Sequence, residues 1–218
     1  MEINKKVFGE DDPNYATPLC DLANYYKSIS NYAEAIRLGT IAMEIYKKTW
    51  GEEHPHYATS LSNLSEYYSI IGNYAEAIRL GTMALKIRGK ELGEKHHLYA
   101  SSLYDLSRYN YSIGNFAEAI RLGTMAMQIQ KKIFGEEHSS YALTLSNLAL
   151  YNFYIGNYNE TIRLGSRAMQ IQKKILGEEH PDYASTLSLF SPLLSSIGDN
   201  TEAINLATKT MEINKKVF

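Results

Sequence analysis

The sequence is poor in the features that would announce a chemistry. Cys20 is its only cysteine, so no disulfide can close within the chain and no cysteine-based zinc site can be assembled. A reducing compartment is the simpler reading, and we expect a cytoplasmic protein. No apolar run approaches the roughly 20 residues that a membrane-spanning helix needs. Met1 is followed by Glu2 and Asn4 rather than by a basic and then an apolar segment, so no secretory leader is expected. An excess of positive charge is also missing: 22 Lys and Arg face 24 Asp and Glu, which argues against a nucleic-acid partner. GxSxG, GxxxxGK[ST] and GxGxxG are all absent. Carboxylates are spread along the chain and not paired, so we expect no enzyme, no catalytic residue and no cofactor. Disorder is excluded as well, because 44% of the residues are hydrophobic.

What the sequence does have is repetition. Gly9, Gly51, Gly93, Gly135 and Gly177 recur every 42 residues, as do Tyr15, Tyr57, Tyr99, Tyr141 and Tyr183. The opening MEINKKVF, Met1 to Phe8, returns as Met211 to Phe218. Five 42-residue units are expected, at 9–50, 51–92, 93–134, 135–176 and 177–218, with 1–8 as the tail of a truncated second helix. Within 51–92, a helical run from Tyr57 to Ile71 places Leu61, Leu64, Tyr67 and Tyr68 on one face. Gly72-Asn73 breaks it, and a second helical run extends from Tyr74 to about Leu92. No period-two alternation persists, so strands are not expected. Each unit reads as an antiparallel helical hairpin, and hairpins that each bury a face must stack.

The punctuation has physical causes. Gly72, Gly114, Gly156 and Gly198 stand where a helix ends in a left-handed residue. Ser30 replaces glycine there in the first unit, and strain is expected at that turn. Lys47-Lys48, Lys131-Lys132 and Lys173-Lys174 close second helices, and Glu52-Glu53 precedes a first helix, both signs matching the helix dipole. Glu34/Arg37, Glu76/Arg79, Glu118/Arg121 and Glu160/Arg163 are i,i+3 pairs, each contributing about 0.2–0.5 kcal/mol. Gly39, Gly81, Gly123 and Gly165 lie inside second helices at a cost of about 1 kcal/mol each relative to alanine. That recurrence predicts close helix approach against the row Tyr25, Tyr67, Tyr109 and Tyr151.

The string Asn63-Leu64, Tyr68, Gly72-Asn73-Tyr74, Ala77-Ile78, Ala84-Leu85 resembles a tetratricopeptide repeat. The unit is 8 residues longer than the usual ~34. This long form is similar to kinesin light chain repeats and to bacterial arrays attached to signalling or caspase-like protease domains. The resemblance implies an all-α, right-handed α-solenoid of stacked antiparallel hairpins, the tetratricopeptide superhelix. It also implies a non-enzymatic interaction scaffold, with a protein or peptide partner in a concave groove lined by first helices. At the positions it assigns to that groove stand Asp21 and Asn24, Asn63 and Glu66, Tyr104, Asp105, Arg108 and Tyr111, then Asn147, Leu150 and Phe153, beside Tyr154. Leu143, Ser146, Ser185, Ser188, Leu189 and Pro192 continue the series. The second helices are near copies, NYAEAIRLGT at both 31–40 and 73–82, whereas Asn24, Glu66, Arg108, Leu150 and Pro192 differ at one equivalent site. A constant scaffold with a varied groove suits a peptide-reading surface. Tyr104, Tyr111, Phe153 and Tyr154 are expected to form an aromatic patch beside Arg108, since aromatics and Arg dominate binding hot spots. The basic set that clamps a carboxylate terminus in related repeats is absent: Lys27 and Arg108 stand alone.

Six histidines, His54, His56, His96, His97, His138 and His180, sit in or beside the linkers. Equivalents on successive helices would be about 8–10 Å apart, too far for one zinc ion, so we expect a solvated linker role and no metal. Pro192 is expected to kink the first helix of the last unit. Both ends lack a polar capping helix, so the chain reads as an excerpt of a longer array. Shared MEINKKVF ends would allow head-to-tail self-association, the alternative function, since such heterologous contacts build open filaments.

Overall fold

The computed structural model describes residues 13–217. The initial MEINKKVF, on which the expected truncated helix and the head-to-tail contact rest, lies outside them. Ten helices alternate in length and register. First helices are α1 (Pro13–Ser28), α3 (Pro55–Ile70), α5 (His97–Ser112), α7 (Ser139–Tyr154) and α9 (Pro181–Ser196), each of 16 residues. Second helices are α2 (Tyr32–Trp50), α4 (Tyr74–Glu91), α6 (Phe116–Phe134), α8 (Tyr158–Leu176) and α10 (Asn200–Val217). No strand occurs among the described residues. The fold is of the all-α solenoid class, built from antiparallel hairpins.

The chain forms two compact units, Met1–Ile113 and Gly114–Phe218. In the first, hairpins α1/α2 and α3/α4 stack, α2 on α3, and α5 packs on α4. In the second, α6 packs on α7, and hairpins α7/α8 and α9/α10 stack. Small residues make this stacking close. Ala35, Ala42, Ala77, Ala84, Ala119, Ala126 and Ala168 are fully buried on second helices, and Leu61, Leu64 and Tyr67 of α3 fill the space between them. Near-native packing density is reached because backbones approach where side chains are short.

The glycines inside second helices carry this logic furthest. An added Cβ would meet Leu64 Cδ2 at 3.1 Å and Tyr67 Cε2 at 3.3 Å at Gly39, Ser65 Oγ at 3.0 Å and Leu106 Cδ2 at 3.1 Å at Gly81, and the Phe190 ring at Gly165. Close approach is therefore as expected, but the neighbour differs. The recurring partner is the site of Leu64, Leu106 and Phe190 on the next first helix. The tyrosine row meets the glycine at Tyr67, and Tyr25 is 70% exposed.

Turn strain falls where the sequence predicts it. Ser30 has φ +60°, in the left-handed region that Gly72 (φ +79°) and Gly114 (φ +77°) occupy without a Cβ clash. The penalty for a residue with a Cβ is about 1–2 kcal/mol. Pro192, in contrast, does not break α9, which keeps the full 16-residue length. Its ring lies on an exposed face, where the carbonyl that loses a partner remains open to water. The predicted charge pairs form: Glu34/Arg37, Glu76/Arg79, Glu118/Arg121 and Glu160/Arg163 all close. Lys90 to Glu53, Lys174 to Glu137 and Lys216 to Glu179 tie the end of one second helix to the loop of the preceding repeat. These pairs are exposed and each contributes about 0–1 kcal/mol.

Candidate partner-binding groove

The linkers position the first helices through the histidines. His54, His96, His138 and His180 are N-cap residues. Each Nδ1 accepts from the backbone N–H two residues on, that of His56, Leu98, Ser140 and Asp182, at 3.1–3.2 Å. This satisfies one of the orphan donors of a helix start. The histidines are thus caps and not merely solvated linker residues. The cap requires a neutral imidazole, and burial together with His56 holds His54 below its usual range. Their rings also pack: Trp50 lies 4.5 Å from His54 and Phe134 4.3 Å from His138. Among the described residues no group of three or more His, Cys, Asp or Glu could hold a metal ion.

In the first unit the first helices α1, α3 and α5 carry linked polar groups. Tyr67 donates its hydroxyl to Asn24 Oδ1 at 2.9 Å, and Lys27 Nζ donates to Glu66 Oε2 at 2.9 Å. Lys27 is therefore not a lone cation, contrary to expectation, because Glu66 is one repeat further on at the next position of the same face. Arg108 is likewise engaged. It lies 3.9 Å from the Asp105 carboxylate and 5.8 Å from the Tyr104 ring centroid. Tyr104, Asp105 and Arg108 thus form one cluster on α5. Asp21 and Asn24 are exposed, and Asn63, Glu66, Tyr104, Asp105 and Tyr111 half-buried. Cys20 is half-buried beside Tyr46, and burial pushes its thiol up to about 11, away from nucleophilic chemistry.

Burial pushes the Asp105 carboxyl up to about 6, against the opposing pull of Arg108. The folded protein therefore holds this proton more tightly than the unfolded chain, whose value is near 3.8. The stabilisation is complete below pH 4 and is lost as pH rises through about 6. Asp105→Asn, the residue found at Asn63 and Asn147, is expected to raise stability at pH 7 by up to about 1 kcal/mol, discounted for the open edge of the side chain. It should also flatten the stability profile between pH 4 and 6. Urea titrations at three pH values check this, and an unaltered profile would count against it.

In the second unit Asn147, Leu150 and Phe153 are half-buried on α7 and Tyr154 is exposed. Phe153 and Tyr154 meet edge to face at 5.7 Å. Tyr154 stacks on Phe116 at 5.1 Å, and Phe153 lies 5.8 Å from Tyr158. Phe116 and Tyr158 start second helices and were not among the expected groove residues. Only the tertiary turn brings them to the end of α7. A ≈ 420 Å³ pocket opens between α7 and α9, and Leu143, Ser146, Asn147, Ser185 and Leu189 of the expected groove line it. Its floor contains Gln172 of α8, which the groove pattern does not include. The signal that could have found it is a polar residue recurring inside an apolar stripe, as Arg88, Gln130 and Gln172 do.

Sequence comparison with curated proteins finds no match. Structural comparison finds many. Kinesin light chain repeats of Podosopora anserina, described as nearly identical TPR-like repeats, superpose with TM-score 0.80 at 27% identity, over 94% of this chain and 97% of that one. BtubC (BKLC) from P. vanneervenii does so with TM-score 0.82 at 18% identity, over 94% and 82%. The Rap conjugation gene regulator of plasmid pLS20, solved in complex with the Phr* peptide, gives TM-score 0.70 at 17% identity, over 91% and 53%. The tetratricopeptide repeat family model matches residues 30–90, 72–132 and 140–216. With most of its length matched, the chain belongs to the tetratricopeptide repeat family.

Proposed function

We propose that this protein is a non-catalytic scaffold that binds an extended or helical segment of a partner protein on the faces its first helices present, α1, α3 and α5 in one unit and α7 and α9 in the other. The working module is the 42-residue hairpin. The observation that carries the reading is the contrast between copied second helices and a first-helix position that changes from Asn24 to Glu66, Arg108, Leu150 and Pro192 while never becoming buried. Open positions that vary in size and charge along a constant framework can each select a different partner side chain. The peptide complex of the Rap regulator supports the same use of such a framework. No described helix is long and apolar enough to cross a membrane. The test is affinity for a partner captured with the wild-type chain. Alanine at Tyr104, Arg108 and Phe153 together should weaken it at least about tenfold, since aromatic and arginine anchors commonly contribute 1–2 kcal/mol or more each. Unchanged affinity would refute the assignment.

A further inference from the structure

One junction between repeats departs from the others, and the departure leaves an unpaired acceptor in the α7–α9 pocket. Second helices carry Arg88, Gln130 and Gln172 at one equivalent site, facing Ser102, Thr144 and Thr186 on the following first helix. At two of these junctions the pair closes. Arg88 Nη1 donates to Ser102 Oγ at 2.7 Å, and Thr144 Oγ1 donates to Gln130 Oε1 at 2.8 Å. At the third, Thr186 Oγ1 donates to the Asp182 carbonyl instead, and Gln172 Oε1 has no partner although Gln172 is only 7% exposed. An acceptor left unpaired at that depth costs about 1–3 kcal/mol, so it calls for a ligand or for a reason.

The reason it is unpaired is Phe190. It occupies the site held by Leu64 and Leu106, and its ring lies against Gly165 so tightly that a Cβ there would be 2.2 Å from Cε1. A phenyl ring is wider than an isobutyl group and holds α9 away from α8, which approach less closely than α6 and α7. Space therefore opens on both sides of the ring, the ≈ 420 Å³ pocket at Gln172 and a second of ≈ 380 Å³ between α8 and the start of α10.

The lining of the first pocket states what it accepts. Leu143, Ile175 and Leu189 offer an apolar channel. Ser146 and Ser185 already donate to the carbonyls of Ala142 and Pro181, so their hydroxyls can only accept. The Asp182 carboxylate borders the same pocket, and no basic side chain lines it. Acceptors at the end of an apolar channel suit an aliphatic stem with a compact donor head. A guanidinium would bring five donors in a rigid fork, whereas an ammonium brings three that rotate to their acceptors. We infer that this pocket takes a lysine side chain of the bound partner segment, its stem along Leu143 and Leu189 and its ammonium donating to Gln172 Oε1 and Asp182. This rests on the proposed groove reading and names the residue type that one part of the groove selects.

The probe is the peptide acetyl-Ala-Ala-Leu-Lys-Leu-Ala-Ala-amide beside its norleucine analogue, which keeps the stem and removes the donor, titrated into the full chain by amide NMR. The lysine peptide should bind at least about tenfold tighter, the worth of a charge-assisted hydrogen bond, with shifts centred on α7, α8 and α9. Gln172→Leu should abolish that preference while leaving the spectrum folded. Phe190→Leu should close the junction, let Thr186 reach Gln172, and remove binding at the pocket. Equal affinity for the norleucine peptide, or a lysine preference that survives Gln172→Leu, overturns the inference. Shifts on other first helices without lysine preference overturn it too, yet leave the groove reading standing. No shift on any first helix also overturns it, and the Tyr104, Arg108 and Phe153 experiment then decides the groove reading separately.

Discussion

Tyr67→Ala is expected to cost the first unit about 3–5 kcal/mol, the largest single loss foreseen for this chain. Tyr67 is fully buried, touches the face of Gly39, and belongs to a core that also contains Leu19, Leu38, Leu61 and Leu80. Truncation would open a cavity among residues held by helices on both sides, and rigid helices collapse poorly into such space. The hydroxyl contributes less. Its partner Asn24 is exposed and can turn to water, so Tyr67→Phe is expected to lose only about 1 kcal/mol. Burial also raises the phenol far above its ordinary range, so it stays neutral at every pH the fold tolerates. Tyr25→Ala is the control. It stands at the same place in the repeat but is 70% exposed, and a change within about 0.5 kcal/mol is expected. Urea midpoints followed by far-UV circular dichroism compare the three, and a Tyr67→Ala loss no larger than that of Tyr25→Ala would refute the packing argument.

Gly81→Leu is expected to destabilise by about 3 kcal/mol, at or beyond the upper end of ordinary overpacking. A Cβ there already stands 3.0 Å from Ser65 Oγ, and Ser65 is held by a hydrogen bond to the Ala77 carbonyl at 2.8 Å. Leu106 closes the other side at 3.1 Å and is itself buried. The three further carbons of leucine would have to push α5 off α4 or break the Ser65 bond. Gly81→Ala separates space from propensity. Its single methyl needs only a few tenths of an ångström, and the helix gains about 1 kcal/mol from losing glycine, so a near-neutral result is expected. Thermal melts of both variants settle the matter. An unaltered melting temperature for Gly81→Leu would make the recurrent glycine an accident of duplication.

Much of the fold was legible because the period repeats the same physics five times. Gly72 and its equivalents announced left-handed turns, and the one exception, Ser30, announced its own strain. The groove was legible only as a list of positions. Lys27 looked solitary because its partner Glu66 is 39 residues away. The histidines looked like solvated linker residues because an imidazole is not the usual N-cap, although its Nδ1 can accept as an Asp or Ser oxygen does. Pro192 looked like a helix breaker because sequence does not say whether the orphaned carbonyl faces water.

By itself the sequence determined the helical hairpin, its length, its turns and the small residues that let hairpins stack, because these depend on contacts within a few turns of helix or on a period that copies them. Only the tertiary structure decided which acceptors are satisfied. Gln130 and Gln172 are the same residue in the same repeat position, and Thr144 and Thr186 face them alike. Whether the bond forms depends on the separation of two helices, and that separation is set by one ring, Phe190, packed against a glycine 25 residues away.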